Sequence, residues 1–401
     1  MRHEKENQNM SLGFVVFVYA ASRLFYLVAG VLLVGLVPVS RFHNVTSDVP
    51  FGTMNIWSHW DGEHYVYLAT SGYLQPPDNV SPAFFPLYPL LIRSFAELFG
   101  GPLSHGALSL YGVLISLLAL PLAFYFVYRI AEDGWGTRVA QGAILTLAFF
   151  PTSFFFNAAY TESLFLALSA GSLWAIRIRR DLLLACVLAG LATATRNVGV
   201  FLLVPLAFEW LRNVEHYRWR GAYLALAPSG LVLYASYLWW RFGDPLLFYT
   251  EQQDWGRRAT GPLTTLRNIW EGAREGARQL FSSNLRADPS LANLADHLGA
   301  ASNLFSVAFL ILAVVLLVAG ARVLPLDLSA YAFLLVVPPA LFGTPENPLM
   351  GLPRYVLVAF PTFIVLGALL KRTPYLVGWL ILSAAVSLVP CALFVTWRFV
   401  A

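Results

Sequence analysis

Leu108–Tyr128 reads LSLYGVLISLLALPLAFYFVY, a run without one charged side chain. A helix needs about 20 predominantly apolar residues to cross the hydrocarbon core of a bilayer, and this run supplies them. Ser11–Val39 and Leu304–Ala319 repeat the same character on either side. Across all 401 residues, 58% are hydrophobic and only 12% are charged, against about 25% charged in an ordinary soluble domain. A soluble chain of this length would still need a polar surface, and there are too few charges to build one. The chain therefore reads as an all-α polytopic membrane protein.

The first apolar stretch runs about 25 residues, longer than the 7–15 of a signal-peptide core, and no small-residue cleavage site follows it cleanly. It is expected to be the first spanning helix. Cys186 and Cys391 both lie in apolar segments, which excludes a disulfide framework or a CxxC metal site. The net charge of +4 is modest and no basic cluster sits on a soluble module, so no nucleic-acid partner is expected.

Hydropathy windows of about 19 residues put helices near 12–37, 105–130, 139–157, 160–177, 182–195, 197–211, 221–242, 303–321, 324–343, 354–370 and 374–396. The expectation is one membrane domain over 1–401, a bundle of about 11 transmembrane or half-membrane helices. Two long polar stretches, 38–104 and 244–302, interrupt it. Positive residues in short loops set orientation: Arg2 and Lys5, Arg129 and Arg138, Arg177 to Arg180, Arg212 to Arg220, and Lys371 with Arg372 all share one side if the N-terminus is cytoplasmic. Both long stretches and the short 344–353 loop then face outward. Parity requires 182–211 to go out and return, yet each half is too short for a crossing. Two short helices meeting at the polar turn Ala194-Thr195-Arg196-Asn197-Val198-Gly199 resolve this, because broken backbone at membrane depth is tolerated where it lines a cavity.

The densest constellation is Trp57-Ser58-His59-Trp60-Asp61-Gly62-Glu63-His64-Tyr65. A carboxylate there has the chemistry to take a proton from an acceptor hydroxyl, and the aromatic rings offer faces for sugar stacking. Asp61, Glu63, His59 and His64 also supply oxygen and nitrogen donors of the kind a divalent cation, Mg²⁺ or Mn²⁺, would take, although their spacing is no recognised ligand pattern. An interfacial amphipathic helix is the plainer alternative.

Ser81-Pro82-Ala83-Phe84-Phe85-Pro86-Leu87-Tyr88-Pro89 holds three prolines that stop a regular helix and shape a turn. Glu162, in Asn157-Ala158-Ala159-Tyr160-Thr161-Glu162-Ser163, either caps a helix N-terminus through the dipole or faces a substrate cavity. Arg23, Arg196 and Arg354 stand near membrane depth, where a charge is costly and by default functional. A guanidinium suits a lipid phosphate through its donor fork, and an internal ion pair, for example with Glu162, is the alternative. Asp244 and the Glu251–Arg257 stretch are polar enough to line a cavity.

His59-Trp60-Asp61-Gly62-Glu63-His64-Tyr65 and Ala83-Phe84-Phe85-Pro86-Leu87-Tyr88-Pro89 open a series of matching pieces. Phe149-Phe150-Pro151 leading to Tyr160-Thr161-Glu162-Ser163-Leu164-Phe165, Ala192-Thr193-Ala194-Thr195-Arg196-Asn197-Val198-Gly199 and Pro353-Arg354-Tyr355 continue it. In order and spacing they resemble the PIG-V family, the GPI mannosyltransferase 2 group of the GT-C glycosyltransferases. The resemblance implies a GT-C membrane fold and a mannosyl donor carried on polyprenyl or dolichyl phosphate. It also implies an inverting transfer on the extracytoplasmic or luminal face.

It maps catalysis to Asp61, with Glu63 sharing or taking over the base role. Substrate binding then falls to His59, Trp60, His64, Tyr65, Glu162, Arg196, Asn197 and Arg354. Few lysines and many arginines suggest a bacterial plasma membrane, where the acceptor would be a glycolipid or an envelope component rather than a GPI anchor. A flippase for a lipid-linked sugar is the competing expectation, but it would call for an inverted repeat, and no internal repeat is found. A non-catalytic envelope scaffold is a third.

Overall fold

The structure is a computed structural model that describes residues 2–40, 55–74, 82–282 and 288–400. Ser81 lies outside the described residues, as do the side chains of Arg2, Lys5 and Asp254. The long apolar runs are helices: α1 (Arg2–Leu36), α4 (His105–Trp135), Ser302–Val323 and Thr373–Val395. Among the described residues, five helical stretches are long and apolar enough to cross a membrane. A sixth follows if Leu352–Val358 and Pro361–Leu369, bent by 76°, count as one span. Pro361 starts the second half of that pair, where a missing N–H costs nothing. Phe17, Leu233 and Ile381 are 70%, 70% and 67% exposed, a surface that suits lipid and would be a liability in water.

Helices pack through small residues, as expected where lipid removes any hydrophobic drive between them. Between α5 (Thr137–Ala148) and Pro361–Leu369, a methyl group on Gly367 would stand 2.6 Å from the Val139 carbonyl oxygen. The expected break is present: α7 (Leu182–Thr193) ends before Ala194, a 3₁₀ segment covers Asn197–Leu202, and α8 (Leu203–Arg212) follows.

The polar stretches also carry structure. In the first, α2 (Asp61–Ser71) and α3 (Leu87–Leu98) close on each other around Tyr65, Leu68, Phe84, Tyr88 and Ile92. The Leu87 amide donates to the Ala194 carbonyl at 3.0 Å, pinning the proline-rich turn to the helix break. In the second, helices Leu247–Asp254, Pro262–Leu280 and Leu291–Ala300 form. Strand β1 (Arg258–Ala259) pairs antiparallel with β2 (Phe342–Gly343), which ties this stretch to the 344–353 loop. Only glycine fits at 343, since a Cβ there would meet the Pro348 carbonyl oxygen at 2.1 Å.

Arg23, from α1, is 3% exposed inside the bundle. It donates to the Ser153 carbonyl (2.9 Å), the Ala148 carbonyl (3.1 Å) and Asn157 Oδ1 (2.5 Å). Ala148 is the last residue of α5, so the guanidinium meets the negative end of a helix dipole and its orphan carbonyl.

Candidate active site

Asp61 is the first residue of α2, and its backbone is fixed from outside the helix. The Tyr160 hydroxyl donates to the His59 carbonyl at 3.0 Å and accepts from the Asp61 amide at 3.2 Å. Between them Trp60 has φ 58°, a left-handed conformation that costs a residue with a Cβ about 1–3 kcal/mol and clusters at functional sites.

The Asp61 carboxylate Oδ2 lies 2.5 Å from Arg354 Nη1, and Arg354 Nε lies 2.6 Å from Glu162 Oε1. That same Glu162 oxygen receives Arg196 Nη1 at 2.7 Å. Glu162 opens α6 (Glu162–Arg177) and is fully buried. Its Oε2 has no hydrogen-bond partner among the described residues. Two arginines and two carboxylates thus form one chain, Asp61–Arg354–Glu162–Arg196, built from four separate elements. The rings of Tyr160 and Tyr355 cover it: the Arg354 guanidinium carbon stands 4.5 Å from the Tyr160 centroid, and that of Arg196 4.9 Å from the Tyr355 centroid.

A cavity of about 550 Å³ opens on this chain. Trp60, Asp61, His64, Tyr65, Arg196, Asn197 and Arg354 line it, with Phe84, Tyr160 and Trp255 among its aromatic walls. Burial pushes the Asp61 carboxyl up, but the Arg354 charge and hydrogen bond outweigh it, with smaller help from His64 and Arg196; the net is below the ordinary 3.8. Asp61 is therefore an ionised carboxylate at neutral pH. Burial pushes the His64 imidazole below its usual 6.5, against the opposing pull of Asp61 and Glu63. Its ring stacks on Phe84 at 4.7 Å and meets Trp255 edge-on at 5.1 Å.

The other expected site residues point elsewhere. Glu63 pairs with His105 at 2.6 Å and does not line the cavity. His59 Nδ1 lies 3.1 Å from the Phe394 carbonyl oxygen, and its ring stacks on Trp397 at 4.1 Å. Glu162 stands behind the arginines rather than facing the cavity. Of the four donors singled out for a divalent cation, Asp61 and His64 line the cavity, whereas Glu63 and His59 do not. Among the described residues, no group of three or more His, Cys, Asp or Glu is placed to share a metal ion.

Arg257, Tyr160 and Tyr355, none of them singled out individually from the sequence, also line the cavity. Tyr160 lay in a quoted motif and was legible as an aromatic beside Glu162. Arg257 belongs to the Glu251–Arg257 stretch expected to be polar enough to line a cavity, and Gln252, Trp255 and Arg257 do line it.

The profile of the family described as Mannosyltransferase (PIG-V) matches residues 10–217, just over half of the chain. GPI alpha-1,6-mannosyltransferase 2 of Homo sapiens is 31% identical over 37% of this chain and 30% of its own length. GPI mannosyltransferase 2 of Drosophila pseudoobscura pseudoobscura is 34% identical over 27% of this chain and 24% of its own. The matched part is less than a third of either relative's length. Among solved structures, ArnT from Cupriavidus metallidurans bound to undecaprenyl phosphate is similar with a TM-score of 0.47 and 15% identity, covering 93% of this chain and 63% of that one.

Proposed function

We propose, from the premise that the chain belongs to the PIG-V mannosyltransferase family, that it transfers mannose with inversion from a lipid-phosphate donor to a glycolipid or cell-envelope acceptor. The donor is a polyprenyl or dolichyl phosphate carrying the sugar, and the site faces the extracytoplasmic side of the membrane. One observation carries this reading: an ionised carboxylate, Asp61, stands at a cavity wall beside Arg354, with aromatic faces around them.

Inversion needs a single in-line displacement. The acceptor oxygen bonds to the anomeric carbon while the bond from that carbon to the phosphate oxygen breaks. The electron pair leaves with the lipid phosphate, and the acceptor proton passes to Asp61. Asp61 takes this role rather than Glu63, whose carboxylate is engaged by His105 outside the cavity. A guanidinium facing the cavity offsets the charge that develops on the departing phosphate. Tyr160 holds the Asp61 backbone, and so orients the base without touching the sugar.

The test is mannosyl transfer from synthetic polyprenyl-phosphate-mannose to a membrane lipid extract by purified protein in detergent. Transfer by the wild type that disappears in Asp61→Asn supports the reading. Undiminished transfer by Asp61→Asn removes Asp61 from the mechanism. No transfer from any lipid-linked mannose removes the donor class.

A further inference from the structure

The charge balance of the cavity points to a residue that the reading above leaves unused. Among the described residues, the carboxylates and guanidiniums that line the cavity are Asp61, Arg196, Arg257 and Arg354. Glu162 stands directly behind them. Asp61 and Glu162 are both consumed by Arg354 and Arg196, so that chain is neutral as a unit. A neutral unit has little attraction left for an anion, since binding one would mean taking an arginine from a buried carboxylate.

Arg257 is different. Its Nη1 donates to Gln252 Oε1 at 3.2 Å, and its Nη2 donates to the carbonyls of Phe342 (3.2 Å) and Met350 (3.4 Å). All three acceptors are neutral, and among the described residues no carboxylate lies within ion-pair distance of it. Its Nε is buried and has no hydrogen-bond partner among the described residues. The guanidinium is also held in place. Gly256, with φ +71°, makes the turn that precedes it, and the Arg258–Gly343 pairing locks the following residue to the loop that supplies the two carbonyls. Among the described residues, the cavity thus carries one surplus positive charge, on a pre-positioned side chain.

We infer that Arg257 is the residue that recognises the phosphate of the lipid-linked donor, while Arg354 and Arg196 stay committed to the carboxylates. This rests on the donor class proposed above. A sugar phosphodiester carries a single negative charge, which the surplus of Arg257 matches. The lipid phosphate released on transfer carries more, so the same contact tightens as the leaving group departs. The structure assigns the two jobs to different arginines: Arg354 orients the base, and Arg257 binds the anion.

The test is calorimetric titration of the purified full chain in neutral detergent. Three ligands are compared: a polyprenyl phosphate, the corresponding uncharged polyprenol and inorganic phosphate. Wild type should bind the lipid phosphate well above the alcohol. Arg257→Gln should weaken lipid phosphate by about ten- to a hundredfold, the worth of one charged hydrogen-bonded contact, and leave polyprenol unchanged. Arg257→Lys, which keeps charge but loses the fork, should fall between them.

Unchanged lipid-phosphate affinity in Arg257→Gln overturns the inference and leaves the proposed function standing. If the Gln variant does not fold, unchanged affinity in the Lys variant overturns it. A wild type that cannot tell lipid phosphate from polyprenol overturns both the inference and the donor class beneath it. Inorganic phosphate bound as tightly as the lipid phosphate overturns the lipid source and leaves a free-phosphate site.

Discussion

The segment from Ala148 to Glu162 meets arginine at each end, one at the first and two at the second, and the two ends treat it differently. At the near end Arg23 is surrounded by the carbonyls of Ala148 and Ser153 and the amide oxygen of Asn157. At the far end Glu162 gathers Arg196 and Arg354, and through Arg354 reaches Asp61 at a cavity wall. Both ends satisfy a guanidinium in low dielectric. The first does so with neutral oxygens that the fold had to satisfy anyway, closing the end of a helix. The second does so with carboxylates, one of which faces open space. A guanidinium inside the bundle thus closes a helix end or joins a carboxylate chain according to its acceptor, and the residue itself carries no mark of which.

Replacing Asp61 by Asn should have the largest effect, a loss of about 10²–10⁴ in turnover, the usual worth of a positioned base. Initial rates at saturating donor, taken per folded molecule because the Arg354 pair is also lost, measure the loss.

Glu162→Gln strips the charge that two arginines share. Breaking a buried pair from one side costs about 3–5 kcal/mol, so the melting temperature in detergent should drop steeply and transfer should fall with it. Arg23→Gln leaves carbonyls under-satisfied and should cost about 1–3 kcal/mol, yet turnover per folded molecule should match wild type. A folded Arg23→Gln protein without activity would erase the distinction between the two ends.

The pH response sharpens it further. Asp61 is held below its ordinary value of 3.8. Its ion pair therefore contributes stability that is fully present above that value and lost as pH falls through the lower, folded-state one. The melting-temperature gap between wild type and Asp61→Asn should stay constant from neutral pH down to 3.8 and narrow only below it. A gap that already closes near neutrality would contradict the ion pair. The smallest effect belongs to Glu63→Gln. Its pair with His105 is 37% exposed on the Glu63 side, worth at most about 1 kcal/mol, and transfer should stay near wild type.

Much of this architecture was legible in the sequence because it rests on local patterns. Uninterrupted apolar length marked Leu108–Tyr128 as a helix, and a polar turn inside a short hairpin marked the break at Arg196. The alternative of an ion pair to Glu162 was also legible, since few carboxylates exist at that depth to receive an arginine. The helix Pro262–Leu280 was not, because an amphipathic helix with exposed Arg267 and Glu271 reads as a polar stretch to a hydropathy window. The cavity-lining character of the Glu251–Arg257 stretch was legible, but what anchors Arg257 was not: its carbonyl partners lie 85 and 93 positions away, and no spacing rule connects them. Glu63 and Asp61 looked equivalent as D-x-E. Their helix turns one toward the cavity and the other toward His105 at the start of α4.

Glu162 and Arg196 are 34 positions apart, whereas Glu162 and Arg354 are 192 apart. At the roughly 5–20 residues per second of protein synthesis, the first pair can form within seconds of emerging, and the second waits on the order of ten to forty seconds. During that interval the nascent chain already carries Asp61 and Glu162 with Arg196 as their one available cation from this group. The ion-pair chain is completed only when the final third of the protein has been inserted. A polypeptide stopped before Arg354 therefore carries two carboxylates of this group against one guanidinium, and the buried one, Glu162, keeps only Arg196.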